Sequence, residues 1–145
     1  MKKKFILIII ALSILTIGFF IKNTNHNLVT KQEFYNFIKE AYITPNGYTK
    51  EISKHMPREI FDKVNAFETY RGNSTFKKPY KINMFELKLT SKRTILKKTY
   101  LNMIYSVSVC DANNKEIGGS WNIPVKYIIK KVNNTWYIFD KQEEA

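Results

Sequence analysis

The sequence has one cysteine, two histidines, four prolines and five glycines among its 145 residues, and half as many acidic residues as basic ones. Each shortage excludes something. With Cys110 alone, no disulfide can form within the chain. A zinc site needs three or four converging His, Cys or carboxylate ligands. His26, His55 and Cys110 offer no HExxH or CxxC spacing, so no metal is expected. A nucleophile needs a base beside it, but Cys110 is followed by Asp111, and His55 stands alone next to Met56-Pro57. Gly118-Gly119 interrupts a strand pattern and lacks the helix that a phosphate-binding loop requires. No cofactor and no catalytic residue are expected, and the chain reads as a non-enzyme.

One long hydrophobic run is present. Met1-Lys2-Lys3-Lys4 precedes seventeen uncharged residues, Phe5 to Ile21, and Lys22 closes them. At about 1.5 Å per residue the run spans roughly 26 Å, close to a hydrocarbon core of ~30 Å. The three leading lysines place the N-terminus inside and everything after Lys22 on the far side of the membrane. Residues 1–22 are therefore expected to form a single-pass anchor, 23–29 a linker and 30–145 an extracytoplasmic domain. A cleaved signal sequence and a secreted product are the alternative, although no Ala-x-Ala site follows the run.

Positive charge is also abundant. Lys and Arg number 24 against 12 Asp and Glu, a formal net charge of +12. Setting aside the four lysines that flank the hydrophobic run leaves 20 against 12. Much of this excess lies between Phe76 and Tyr100, where Lys77, Lys78, Lys81, Lys88, Lys92, Arg93, Lys97 and Lys98 face only Glu86. Nucleic acid is excluded as a partner by the topology. The expected counter-charges are anionic lipid, an anionic wall polymer or an acidic protein. Nothing in the sequence fixes the oligomeric state.

The periodicity changes once along the domain. Thr30-Lys-Gln-Glu33 is a capping box. After it Phe34, Phe37, Ile38, Ala41 and Tyr42 form one helical stripe, ended by Pro45-Asn46-Gly47. Thr49 to His55 reads as a short helix or turn. Ile60, Phe61, Val64 and Phe67 give a further helix that starts at Pro57 and ends at Arg71-Gly72-Asn73-Ser74. From Tyr80 the period becomes two. Phe85, Leu87 and Leu89 alternate with polar residues up to a turn near Ser91-Lys92-Arg93. Leu101, Met103, Tyr105, Val107 and Val109 share one face of the next strand, and Asp111 to Asn114 is a hairpin loop. Trp121, Ile123, Val125, Tyr127 and Ile129 share a face of the third strand, with Gly118-Gly119 marking a bulge or sharp bend and Pro124 an edge or an irregularity. Asn133-Asn134 turns into a last strand, Thr135 to Lys141.

The fold class is α+β: two or three helices packed on a curved antiparallel sheet of about four strands, cone-like. The expected core is Phe34, Phe37, Ile38, Phe61, Val64, Leu101, Met103, Val107, Trp121 and Ile123.

This order resembles the nuclear-transport-factor-two-like superfamily, also called cystatin-like or ketosteroid-isomerase-like. The helices Gln32–Tyr42 and Pro57–Glu68, the three terminal strands and the ending Val132 to Asp140, which bears Trp136, carry the resemblance. An anchor before such a domain is similar to small extracytoplasmic proteins of Gram-positive bacteria and to membrane-anchored scaffold subunits of type IV secretion machines. The resemblance implies a cone whose inner face can hold a ligand, here lined by Tyr105, Trp121 and Tyr127. Isomerases of this kind use a carboxylate base inside the cone, and the expected inner face has none. The leading reading is a membrane-tethered binding or scaffold domain. The alternative is a pocket protein for a small apolar ligand or lipid, and an isomerase-like enzyme is the third.

Overall fold

The computed structural model describes residues 29–72, 79–133 and 135–143. The anchor, most of the linker, His26, Asn73-Ser74, Lys77, Lys78 and Asn134 lie outside them, as does the Phe85 side chain. No helix among the described residues is long and apolar enough to cross a membrane.

Among the described residues four helices precede four strands: α1 Lys31–Ile43, α2 Lys50–Ser53, α3 Arg58–Val64, α4 Ala66–Thr69, then β1 Tyr80–Ile95, β2 Lys98–Asp111, β3 Glu116–Val132 and β4 Thr135–Glu143. The strands form one antiparallel sheet in the order β1-β2-β3-β4. The class is α+β with a curled antiparallel sheet.

Local chemistry sets the helix boundaries. Thr30 Oγ1 accepts from Glu33 N at 3.1 Å, which satisfies one of the amides a helix start leaves open. The other half of the expected capping box is redirected: Glu33 Oε1 accepts from Trp136 Nε1 at 2.7 Å, tying α1 to β4. The helix expected from Pro57 through Phe67 is two helices, broken at Asn65. That residue is 1 % exposed. Its Nδ2 donates to Ala41 O and Thr44 O, both at 2.9 Å. Its Oδ1 accepts from Glu68 N at 3.1 Å. One amide side chain thus closes the end of α1 and caps the start of α4, which compensates for breaking the helical run.

The helices cover one face of the sheet, here called inner. Phe34, Ile38, Ile60, Phe61 and Val64 from the helices are buried with Ile82, Met84, Leu87, Leu101, Met103, Tyr105, Val107, Val109, Val125, Tyr127, Ile129 and Ile138 from the strands. Phe37 and Ile123 pack partly buried against them. His55 is held in this layer too, its ring stacked on Trp136 at 4.0 Å.

The register corrects two expectations. The turn near Ser91 to Arg93 does not exist: Ser91 pairs with Asn102, Arg93 with Tyr100 and Ile95 with Lys98. β1 therefore runs on to a two-residue turn at Leu96-Lys97, both with positive φ. Trp121 is not in the core but 49 % exposed on the other face. The cause is a bulge. Tyr105 pairs with Ile123 and Val107 with Ser120, so Trp121 and Asn122 together oppose Ser106. Asn122 takes the left-handed conformation, φ 56°, and its N–H donates to Ser106 Oγ at 3.0 Å. The extra residue re-phases the strand. Before it Gly118 and Ser120 share the face of Val107 and Val109; after it Ile123, Val125 and Tyr127 do.

Candidate functional site

The three residues expected to line a pocket are not brought together around one. Tyr127, expected to line a pocket, is 1 % exposed and packs edge-on against Phe34 at 5.5 Å between ring centroids. Tyr105 is buried against Tyr42 at 5.4 Å. Trp121, the third expected lining residue, stands on the opposite face. A cleft bounded by Val29, Phe34, Leu89, Lys92, Leu101 and Met103 measures about 40 Å³, space for water rather than for the several hundred Å³ of a typical ligand.

One polar group at this face escaped the sequence reading. Glu143, at the end of β4, pairs across from Val125, accepts a short hydrogen bond from the Tyr105 hydroxyl and meets Lys141 Nζ at 2.6 Å. Lys141 Nζ also donates to Lys63 O at 2.7 Å, at the last turn of α3, where a cation is favoured. Burial pushes the Tyr42, Tyr105 and Tyr127 phenols well above the ordinary tyrosine range, and the neighbouring Tyr70, Tyr42 and Glu143 add to the effect. These hydroxyls stay protonated, and that of Tyr105 donates to Glu143. Among the described residues no three His, Cys, Asp or Glu side chains gather closely enough to hold a metal ion.

The outer face is different. The pairing sets Lys88 beside Ile104 and Pro124, Ser91 beside Asn102, Lys126 and Gln142, and Arg93 beside Tyr100, Ile128 and Asp140. A further row sets Ile95 beside Lys98 and Lys130. A second bulge brings Phe139 to this surface, because Ile128 pairs with Asp140 but Ile129 with Ile138. Lys98 Nζ and Lys130 Nζ lie 5.0 and 4.8 Å from the centre of the Phe139 ring. The ring attracts each ammonium group through its π face and so holds two mutually repelling cations on one surface. Ile104, Pro124, Asn102, Lys126, Thr90 and Gln142 border a shallow groove of about 480 Å³ across the strands.

Of the eight cations singled out from the sequence, the six described do not form one patch. Lys88, Arg93 and Lys98 are on the outer face, and Lys97 is in the turn at its end. Lys81 is on the same face at the far end, where its Nζ donates to Asn114 Oδ1 at 2.9 Å. Lys92 faces the other way: a second irregularity, between Leu89 and Ser91, leaves it opposite Leu101 and beside the start of α1. In their place the fold adds Lys126 and Lys130 from β3, whose alternation with Pro124, Ile128 and Val132 was the available signal. Two acids on this face are engaged: Glu86 Oε2 accepts from Ser106 Oγ at 3.3 Å, and Asp140 Oδ2 accepts from Gln142 Nε2 at 2.9 Å; Glu116, paired with Cys110, is exposed at the far end.

No protein-family model matches the chain and no curated protein is similar to it.

Proposed function

We propose that this chain is a membrane-tethered extracytoplasmic domain that acts by binding, without catalysis, through the outer face of its sheet. The observation that carries the reading is the gathering of Lys88, Arg93, Lys98, Lys126 and Lys130 from three strands onto one surface, with Tyr100 and Phe139 among them. Strand pairing fixes these cations at close spacing, so their fields add, and their attraction for an anionic surface is screened by salt over ~8 Å at physiological ionic strength. The inner face supports the same reading, since Tyr105 and Tyr127 are packed by aromatic neighbours. The hydrophobic run Phe5–Ile21 supports the tether, and Lys2, Lys3 and Lys4 support the orientation. The order of helices, then a curled antiparallel sheet, supports kinship with the nuclear-transport-factor-two-like superfamily, in which function varies widely on one fold.

The core closes within residues 29–143, so the domain from residue 23 onward is a suitable test object. It should sediment with vesicles containing anionic lipid, or with an anionic wall polymer, at low salt and much less at high salt. Neutral vesicles should not retain it. Replacing Lys88, Lys98, Lys126 and Lys130 together by Gln should abolish retention. Equal retention by wild type and variant would overturn the reading.

A further inference from the structure

We infer that the end of the sheet formed by the β1–β2 turn and the last residues of β3 is a lipid-docking tip, which inserts Leu96 into the anionic surface of the membrane that carries the chain. The inference rests on the proposed binding reading and names the partner and the part of the surface that meets it.

Four observations carry it. Leu96 is 91 % exposed, the most exposed large apolar residue described, and Ile95 and Val132 are exposed as well. They form one group, because Ile95 pairs with Lys98 and Lys98 with Lys130, two residues before Val132. Antiparallel pairing brings the β1–β2 turn and the end of β3 to the same edge of the sheet.

The turn itself is unusual. Leu96 and Lys97 have φ of 47° and 66°, the left-handed pair of a two-residue hairpin that is ordinarily filled by Asn-Gly. A leucine in that conformation, with its side chain in water, gains nothing from the fold. Its presence makes sense where the side chain has an apolar phase to enter.

Cations form a collar around the apolar tip. Lys97, Lys98, Lys130 and Lys131 flank Ile95, Leu96 and Val132 in sequence and register. Lysines of this kind lay their methylenes along an apolar surface and keep their ammonium groups at headgroup level. Each adds attraction to an anionic leaflet. A short apolar point inside a basic ring matches a lipid surface, whose charged layer overlies hydrocarbon.

The tether also enters at this end. Val29 packs beside Leu89, Lys92 and Leu101, and Lys92 is only three residues before Ile95. From Lys22 to Leu28 the chain reaches about 25 Å at most, at 3.3–3.6 Å per residue. A domain held this closely, by the corner next to the tip, can rest the tip on the bilayer without uncoiling.

The test uses the full chain reconstituted in vesicles, with the buried Cys110 replaced by Ser and a single cysteine at Leu96→Cys or at Asn113→Cys, in the opposite loop. Each is labelled with a polarity-sensitive fluorophore, and nitroxide lipids serve as quenchers. In vesicles with a third anionic phosphatidylglycerol, quenching at position 96 should exceed that at 113 at least fivefold, and the excess should shrink in pure phosphatidylcholine. Equal quenching at the two positions overturns the inference. A second variant, Leu96→Asn, suits the turn and should keep or raise the melting temperature of the domain. It should lower partitioning to anionic vesicles about tenfold and leave binding to a lipid-free anionic polymer unchanged. Undiminished vesicle binding by Leu96→Asn also overturns the tip, while the four-lysine variant separately decides the wider binding reading.

Discussion

β2 and its neighbours respond differently to the same alternating pattern. In β2 the inward series Leu101, Met103, Tyr105, Val107, Val109 runs without interruption, and Asn102, Ile104, Ser106, Ser108 and Cys110 face out. In the flanking strands the pattern is repeatedly re-phased. Every extra residue in the sheet's three ladders belongs to β1, β3 or β4: Phe85, Thr90, Ile117, the Trp121–Asn122 pair and Phe139. The central strand acts as a ruler and its neighbours take up the curl. Bulges add residues on one side of a pairing and so bend it, and they decide which side chains reach the outer face. Phe139 joins Lys98 and Lys130 there because of a bulge, and Lys92 is turned away because of one.

The contrast between packed inner residues and re-phased outer ones is open to direct tests. The largest effect is expected at the inner layer. Phe61→Ala removes a ring that is 0 % exposed and should cost about 3–5 kcal/mol, measured by urea unfolding of the domain. A loss below about 1 kcal/mol would mean that α3 does not close the core.

Next comes Asn65→Ala. It leaves the carbonyls of Ala41 and Thr44 without their donor and uncaps α4, so a loss of about 2–3 kcal/mol is expected. Asn65→Asp should not rescue it, because a carboxylate cannot donate to those carbonyls.

Gly119→Ala tests whether the outer face near a bulge is as constrained as the core. A Cβ there would lie 2.3 Å from Val107 O and 3.0 Å from the Trp121 ring. The backbone must move, at a cost of about 1–3 kcal/mol. Trp121→Ala, which removes far more atoms from a half-exposed site, should cost less than Phe61→Ala. The reverse order would break the assignment of faces.

Tyrosine ionisation reads the inner layer spectroscopically. The folded-state pKa values of Tyr42, Tyr105 and Tyr127 lie above the unfolded value near 10. The native state therefore keeps protons that the unfolded chain releases. Stability from these groups is fully present below pH 10 and is lost as pH rises above it. In an absorbance titration of phenolate, these three of the nine tyrosines should ionise only with unfolding. Smooth ionisation of all nine in the folded domain would show an open inner face.

The smallest effect on stability is expected from Lys88→Gln with Lys126→Gln, within about 0.5 kcal/mol, as for surface groups that hold no core contact. Binding should fall while the melting temperature stays, and a large loss of stability would mean that these lysines belong to the fold rather than to a partner.

Much of the architecture was legible because it depends on period. The stripe Phe34, Ile38, Ala41 and Tyr42 and the alternation of Leu101 to Val109 each bury one face, whatever lies opposite. Thr30 is read as a cap because its oxygen serves an amide three residues away. Asn65 was not legible, since its partners at Ala41 and Thr44 are over twenty residues off and an asparagine between apolar residues carries no mark of them. Glu143 went unseen for the same reason: only the β3–β4 register sets it beside Tyr105.

The candidate surface divides in the same way. The sequence by itself determined that the chain is rich in cations, poor in catalytic groups, α+β in order and preceded by a hydrophobic run. These are sums and periods, and local chemistry is enough to establish them. Tertiary structure alone decided which cations share a face, that Trp121 leaves the core and that Leu96 stands exposed at one end of the sheet. A bulge shifts every later side chain by one position, and whether it forms depends on pairing energy with a strand far away in the chain. The face a residue occupies is therefore a property of the sheet and not of the residue.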